Sequence, residues 1–310
     1  MDSLESRGLK FVLLTAVISG FSIFVNKYAV SMNDAFVFTS MKNVSVALML
    51  GALLLLAGGF SELKMLSRKA WAKLALIGLV GGSVPFLMFF RGLQLTSAAG
   101  ASFVHKLMFV AVAVLAVFFL KEKLADNRKF LAGAAAIVAG NVLLLQIPQA
   151  LDEGILLVFG AMLLWAIETV ISKKVLAEVS SRTVAFGRMF FGSVFLFAFL
   201  GATGRVETVL SLNTEQLGWI LFTSVLLLAY VETWYKGLQK ASATNATAVL
   251  LLGAPITSLL SLAFDAKMLS MPQIAGTALL VAGVVLAVGS ANVAGAFRLL
   301  LRNPFAPKTA

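Results

Sequence analysis

Ten apolar blocks, each about the length of a membrane-crossing helix, follow one another along this chain with short polar segments between them. A helix needs about 20 apolar residues to cross about 30 Å of hydrocarbon. The blocks lie near residues 10–30, 35–57, 74–93, 99–120, 129–147, 153–173, 183–202, 216–237, 244–264 and 271–290. In such a solvent every backbone polar group must be satisfied within the segment, so each block is expected to be a helix. Composition agrees: 60% of residues are hydrophobic and 13% charged, against about 45–50% and about 25% in soluble domains. The opening MDSLESRGLK has no cationic leader, and no small-residue cleavage site follows the first apolar run. That run is therefore expected to be a retained span, not a signal peptide.

The net charge of +11 would suggest nucleic acid as a partner if the chain were soluble. The cations instead sit between the apolar blocks and alternate in density. With the amino terminus inside, the inner segments hold clusters such as Lys64, Arg68, Lys69 and Lys73 or Lys121, Lys123, Arg128 and Lys129. The outer segments hold Arg91, Arg205 and Lys267, and the outer loops SMNDA and PQALDEG hold no Lys or Arg. By the positive-inside rule both termini are expected to be cytoplasmic, and residues 291–310 form a partly disordered cytoplasmic tail. The chain has no cysteine and a single histidine, His105. A disulfide framework, a thiolate metal site and a His-rich metal cluster are thereby excluded, and no cofactor is expected. The absence of cysteine and the compact loops point to a bacterial or archaeal plasma (inner) membrane.

An internal repeat sets the expected architecture. RGLQLTSAAGAS from Arg91 returns as KGLQKASATNAT from Lys236. AGAAAIVAG, with Gly133 and Gly140, returns as AGTALLVAG, with Gly276 and Gly283. Lys27 matches Lys173, and Lys42 matches Arg188. Five spans thus fall in residues 10–147 and five in residues 153–290. An odd number of spans per half turns the second half upside down relative to the first. The expected fold is an all-α integral membrane protein of ten transmembrane helices in two inverted five-helix repeats. Inverted repeats place a substrate near the bilayer midplane between the halves.

At these residues the chain resembles the EamA family of the drug/metabolite transporter superfamily. The likeness covers roughly residues 10–290. Pro255 in LLLGAPITS, Glu122 in FFLKEKL, the glycine pairs of both final helices and WAIETVISKK from Trp165 carry it. The chain departs from the pattern at Val110, where the first repeat would have proline, with Lys106 just before it. It departs again at Lys267, near the second repeat's expected glutamate. The resemblance implies carriage of small organic solutes, often export of amino acids or other metabolites.

Charges within the spans give the candidate site, because an intramembrane charge costs several kcal/mol unless it pairs or faces water. Lys42 lies about seven residues into the second span, near 10 Å from its end at about 1.5 Å per residue. Lys106 has similar depth in the fourth span, with Ser102 and His105 on its helix face. Both lysines either face a cavity and attract an anionic group, or pair with backbone carbonyls or reach the outer interface. Glu168 and Arg188 have matching depth in neighbouring spans, where a direct ion pair is expected. Trp165, Glu168 and Ser172 share one helix face. Glu168 either binds a proton or a cationic group, with Trp165 as a stacking wall, or only locks two helices together. By the repeat, Ser22 stands where Glu168 would be, so Lys42 lacks the acid its counterpart has. Glu232 precedes Lys236 by four residues, which suits a same-helix salt bridge, with proton relay as the alternative. Lys27 is expected to snorkel. Trp71, Trp219, Trp234 and Tyr235 are expected in an aromatic belt. Pro85 and Pro255 are expected to kink their helices and free backbone carbonyls.

These features read as a secondary active carrier for a small charged or zwitterionic metabolite, whose partners are that solute and the lipid bilayer, as a monomer or homodimer. No GxxxxGK[ST] motif supplies ATP chemistry. An intramembrane enzyme lacks support, since HExxH and GxSxG are absent, and no catalytic residue is assigned. A passive channel and a translocator of phosphate-bearing lipid head groups are the remaining alternatives.

Overall fold

A computed structural model describes residues 3–96, 98–122, 127–145, 152–264 and 270–301. Lys267 and the side chains of Lys27 and Ser102 lie outside the described set. Among the described residues, nine helices are long and apolar enough to cross a membrane.

The first half opens with α1 (Leu4–Ser31) and α2 (Ala35–Leu56), then a short helix α3 (Phe60–Met65). Its third block is broken into α4 (Arg68–Gly82) and α5 (Val84–Leu95). Its fourth is broken into α6 (Ala98–Lys106) and α7 (Met108–Leu115), and ends in a π-helical turn, Ala116–Leu120. The fifth block is α8 (Asn127–Leu145). The second half runs α9 (Glu153–Val175), α10 (Ser181–Ala202), a short α11 (Val206–Leu210) and α12 (Thr214–Lys240). It continues with α13 (Ala243–Leu250), α14 (Gly253–Phe264) and α15 (Met271–Val288). Three expected single spans are thus interrupted or reshaped. The stretch read as a tail also folds, through Leu301, into α16 (Ser290–Leu301), which lies along α1.

Helix starts are written in polar residues that accept from the otherwise unpaired first-turn N–H groups. Ser3, Asp34, Ser67, Asp152, Ser180, Asn213 and Ser242 each do so by side chain. Most starts fall where a polar segment gives way to an apolar block, which explains why the blocks were easy to delimit.

The packing is reciprocal between halves. Helix α1 lies on α12 as α5 lies on α9, and α2 packs on α12 as α10 packs on α4. Helices α8 and α15 pair with each other, and so do α2 and α10. Glycines let backbones approach at these contacts, as expected where lipid supplies no hydrophobic drive. A Cβ on Gly140 would meet the Gly276 carbonyl oxygen at 2.7 Å, and one on Gly276 would meet that of Gly140 at 2.7 Å. Gly133 and Gly283 are crossed in the same way. Gly8 against Gly237 on α1 and α12 corresponds, repeat position by repeat position, to Gly154 against Gly92 on α9 and α5.

Candidate functional site

The site begins with a proline. Pro85 has no N–H to give to the carbonyl four residues back, and its ring crowds that carbonyl. That carbonyl belongs to Gly81, the penultimate residue of α4. Helix α4 stops at Gly82, Ser83 turns with φ −135° and ψ −74°, and α5 restarts beyond it. The freed Gly81 oxygen accepts from Trp165 Nε1 at 3.0 Å and from Arg188 Nη2 at 3.0 Å. The neighbouring Gly82 oxygen accepts from Asn43 Nδ2 at 2.7 Å. One helix break thereby collects side chains from α2, α9 and α10.

Glu168 sits against the same break. A Cβ on Gly81 would lie 2.3 Å from Glu168 Cγ and 3.3 Å from Arg188 Nε, so only glycine lets both residues reach this point. Glu168 is 2% exposed and Arg188 7%. Their direct ion pair, expected from matching depth, does not form. Glu168 Oε1 instead accepts from Ser172 Oγ at 2.6 Å and from the Tyr235 hydroxyl at 2.7 Å. Arg188 turns to the Gly81 carbonyl, because Pro85 has left that acceptor unfilled. Acid and base therefore balance across a shared wall.

Tyr235 also corrects the aromatic-belt reading. It is fully buried and Trp234 is 3% exposed, so neither belongs to an interfacial girdle. A buried phenol needs a partner, and Glu168 supplies it. Trp234 stacks on Tyr230 at 6.5 Å between centroids.

The repeat-related position in the first half is built differently. Asn26 Nδ2 donates to Ser22 at its carbonyl (2.8 Å) and hydroxyl (2.9 Å) oxygens. Lys42 Nζ donates to Asn26 Oδ1 at 2.8 Å and stands 5.0 Å from the Phe38 ring centroid. Lys42 is 8% exposed. Ser22, Asn26 and Lys42 thus replace Glu168, Ser172 and Arg188, and no carboxylate lies within ion-pair distance of Lys42 among the described residues.

The fourth and ninth spans break at corresponding positions. Helix α6 ends at Lys106, and Leu107 and Val110 make three-residue-back hydrogen bonds in place of the α-helical pattern. Helix α13 ends at Leu250, and Leu251, Leu252 and Ala254 do the same just before Pro255. By the RGLQ/KGLQ register, Leu107 corresponds to Leu252. A cavity of about 40 Å³ lies between these breaks. Ser19 and Ile23 of α1, Lys106 of α6, Tyr230 of α12 and Thr247 of α13 line it. His105 lines it too and meets Trp165 edge-on at 5.2 Å and Phe89 at 5.7 Å. Lys106 makes no hydrogen bond or ion pair among the described residues. One water needs about 10–15 Å³, so this cavity has room for a few waters and not for a metabolite.

One end of the bundle is tied across the halves by acids. Lys121, held at φ 55°, turns the chain out of the π-helical turn. Glu122 then accepts from the Ala243 and Thr244 amides, at 2.6 and 3.1 Å, at the start of α13. Glu5 accepts from the Ser242 amide and hydroxyl and from Asn245 Nδ2. Lys173 donates to the Leu238 and Ala241 carbonyls at 2.7 and 2.6 Å. Glu232 bonds Arg182 at 2.9 Å and Lys236 at 2.6 Å, the second being the same-helix salt bridge expected from their spacing. At the other end Asp34 pairs with Arg205, and Thr96 donates to Asp152 at 2.9 Å.

Of the residues picked from sequence, Trp165, Glu168 and Arg188 converge on the α4 break, and His105 joins them through Trp165. Lys106 faces the cavity, while Lys42 and Glu232 stand apart on either side. Asn26, Gly81 and Tyr230 went unmarked, and only Gly81 had a sequence signal, four residues before Pro85.

Comparison with known proteins bears on the same architecture. The EamA-like transporter family matches residues 6–146 and again 152–289. The chain belongs to the EamA-like transporter family. Its two matched segments coincide with the two halves described above. An uncharacterized transporter of Archaeoglobus fulgidus is 27% identical over 278 residues, covering 89% of this chain and 96% of that protein. An uncharacterized transporter of Sinorhizobium sp is 31% identical over 134 residues, 43% of this chain and 93% of that protein. One solved crystal structure shares the fold, with a TM-score of 0.73 at 18% identity, over 92% of this chain and 98% of that one. The protein is a multi-pass membrane transporter.

Proposed function

We propose that this EamA-like protein is a secondary active transporter that moves a small charged or zwitterionic organic metabolite by alternating access. The observation that carries the reading is the pair of helix breaks at corresponding positions of the fourth and ninth spans, flanking one cavity lined by Lys106, whose ammonium has no partner among the described residues. Interrupted helices at matching places in two repeats are the usual sign of a transport site. In this reading α8 completes ten spans, the second repeat is inverted, and both termini face the cytoplasm of a cell with its transporter in the plasma membrane. The reciprocal packing of the halves and the odd number of blocks per half support the inversion. The small cavity then belongs to an occluded conformation, which opens when the halves rock and the ties at one end release. Glu168 holds charge balance beside the route, bonded by Tyr235 and Ser172.

The test is uptake into proteoliposomes holding the purified protein. Saturable, counter-substrate-stimulated flux of a charged metabolite that Lys106→Met weakens supports the reading. Flux that rises linearly with concentration and ignores counter-substrate makes the protein a channel instead.

A further inference from the structure

The two lysines are the described intramembrane cations that the protein does not balance. Arg188 has Glu168 beside it across Gly81. Arg182 and Lys236 share Glu232, Arg205 has Asp34, and Lys173 donates to three carbonyls at the end of α12. Lys42 has only neutral partners, the amide of Asn26 and the face of Phe38, and Lys106 has no polar partner among the described residues. A charge buried at membrane depth is costly and is retained where it pairs or meets a ligand. Two such charges, both positive, call for negative charge from outside the chain.

Helix α1 connects them. Ser19 and Ile23 line the Lys106 cavity. Ser22 and Asn26 follow at helical spacings of three and four, so Ser19, Ser22, Ile23 and Asn26 form one stripe. Its far end, Asn26, holds Lys42. Ser19 and Asn26 are seven residues apart, about 10 Å at 1.5 Å per residue. The lysine side chains take up part of that separation. The two ammoniums thus stand at the two ends of one stripe, an arrangement that an extended molecule with a negative group at each end matches. The Ser19 and Ser22 hydroxyls, with Tyr230 opposite, supply neutral donors along its middle.

We propose that the transported solute is an extended organic dianion of the short dicarboxylate class, with one carboxylate on Lys106 and the other on Lys42, displacing Asn26. This rests on the transporter reading above and narrows it. The loaded site is then neutral where the empty one carries two positive charges.

The test is ligand-induced thermal stabilisation of the full-length protein in detergent at fixed ionic strength. The probes are four- and five-carbon dicarboxylates, monocarboxylates of equal length and inorganic phosphate. The expected result is stabilisation by dicarboxylates well beyond either control. Lys42→Met and Lys106→Met should each weaken dicarboxylate binding at least about tenfold, the value of one charge-assisted hydrogen bond. Lys42→Arg and Lys106→Arg should retain part of it, which separates a lost charge from a misfolded variant. Equal binding of monocarboxylates, binding of phosphate alone, or indifference to Lys42→Met overturns the dianion assignment while leaving the carrier reading intact. A protein that binds no probe, yet shows saturable flux of another charged metabolite, also overturns the assignment alone. Loss of all saturable flux removes the carrier reading itself.

Discussion

The two halves of this transporter hold the same position in opposite ways. In the second half, Glu168, Ser172 and Arg188 form a balanced polar cluster, sealed by Tyr235 and the freed Gly81 carbonyl. In the first half, Ser22, Asn26 and Lys42 occupy the matching places with hydrogen bonds but no counter-charge. The helix pairs that carry the two sets are common to both halves, but the break at Ser83 in the first half has no counterpart in the continuous α12, so the difference lies in side chains and in one freed carbonyl. A duplicated scaffold has kept one copy as a structural tie and left the other with an unmet positive charge. If the proposed binding role of Lys42 holds, structure and ligand binding are divided between the two repeats.

The largest expected effect breaks the comparison directly. Arg188→Met strips the counter-charge from buried Glu168 and should cost about 3–5 kcal/mol of stability. Lys42→Met removes a cation that no acid balances, so stability should stay within about 1 kcal/mol of the parent. Thermal or chemical unfolding in detergent measures both, and equal losses would show that the halves are energetically alike. A next step makes them chemically alike. Ser22→Glu places a carboxylate where the second half has Glu168, and should raise the melting temperature while abolishing binding of anions that need Lys42. A rise in both quantities would contradict the division of labour.

A smaller effect tests the steric part of the second-half cluster. Gly81→Ala drives a methyl group to 2.3 Å from Glu168 Cγ and should cost about 1–3 kcal/mol. Gly201→Ala, in the same bundle with nothing within 4 Å of its new Cβ, should be neutral or stabilise by up to about 1 kcal/mol. The smallest effect lies at the rim. Partial burial disfavours the Glu62 charge, but hydrogen bonds from Ser180 and Thr183 outweigh it and hold the pKa below the ordinary carboxylate value. Its stabilising share is present above the unfolded carboxylate pKa, about 4.3, and is lost as pH falls through the lowered folded value. Glu62→Gln should flatten that part of the stability–pH curve, read from melting temperatures between neutral and acid pH.

Much of the fold could be read from the chain because membrane depth imposes a length on every apolar block, and polar caps mark the ends. The repeat was equally open, since RGLQ and KGLQ align without gaps and the family matches the chain twice. The site was only partly legible. Buried charges announced Lys42, Lys106, Glu168 and Arg188, because they are rare in such surroundings. Tyr235 was misread because α12 is apolar nearly all round, and its pattern does not say which face turns inward. The break at Leu107 has no proline or glycine to announce it. The Glu122 tie to α13 joins residues of different repeats, which no local pattern records. The indirect balance of Glu168 and Arg188 turned on a carbonyl freed by Pro85, a consequence visible only once the neighbours of Gly81 are known.

The central claim is that the cavity between the paired breaks faces each side of the membrane in turn. The absence of cysteine makes one measurement clean. Ser19→Cys, on the cavity wall, would be the only thiol in the protein, and a membrane-impermeant thiol reagent can be applied from either side of oriented proteoliposomes. Alternating access predicts modification from both sides, and protection from both by one saturating substrate. Modification from one side only, under all substrate conditions, would contradict it.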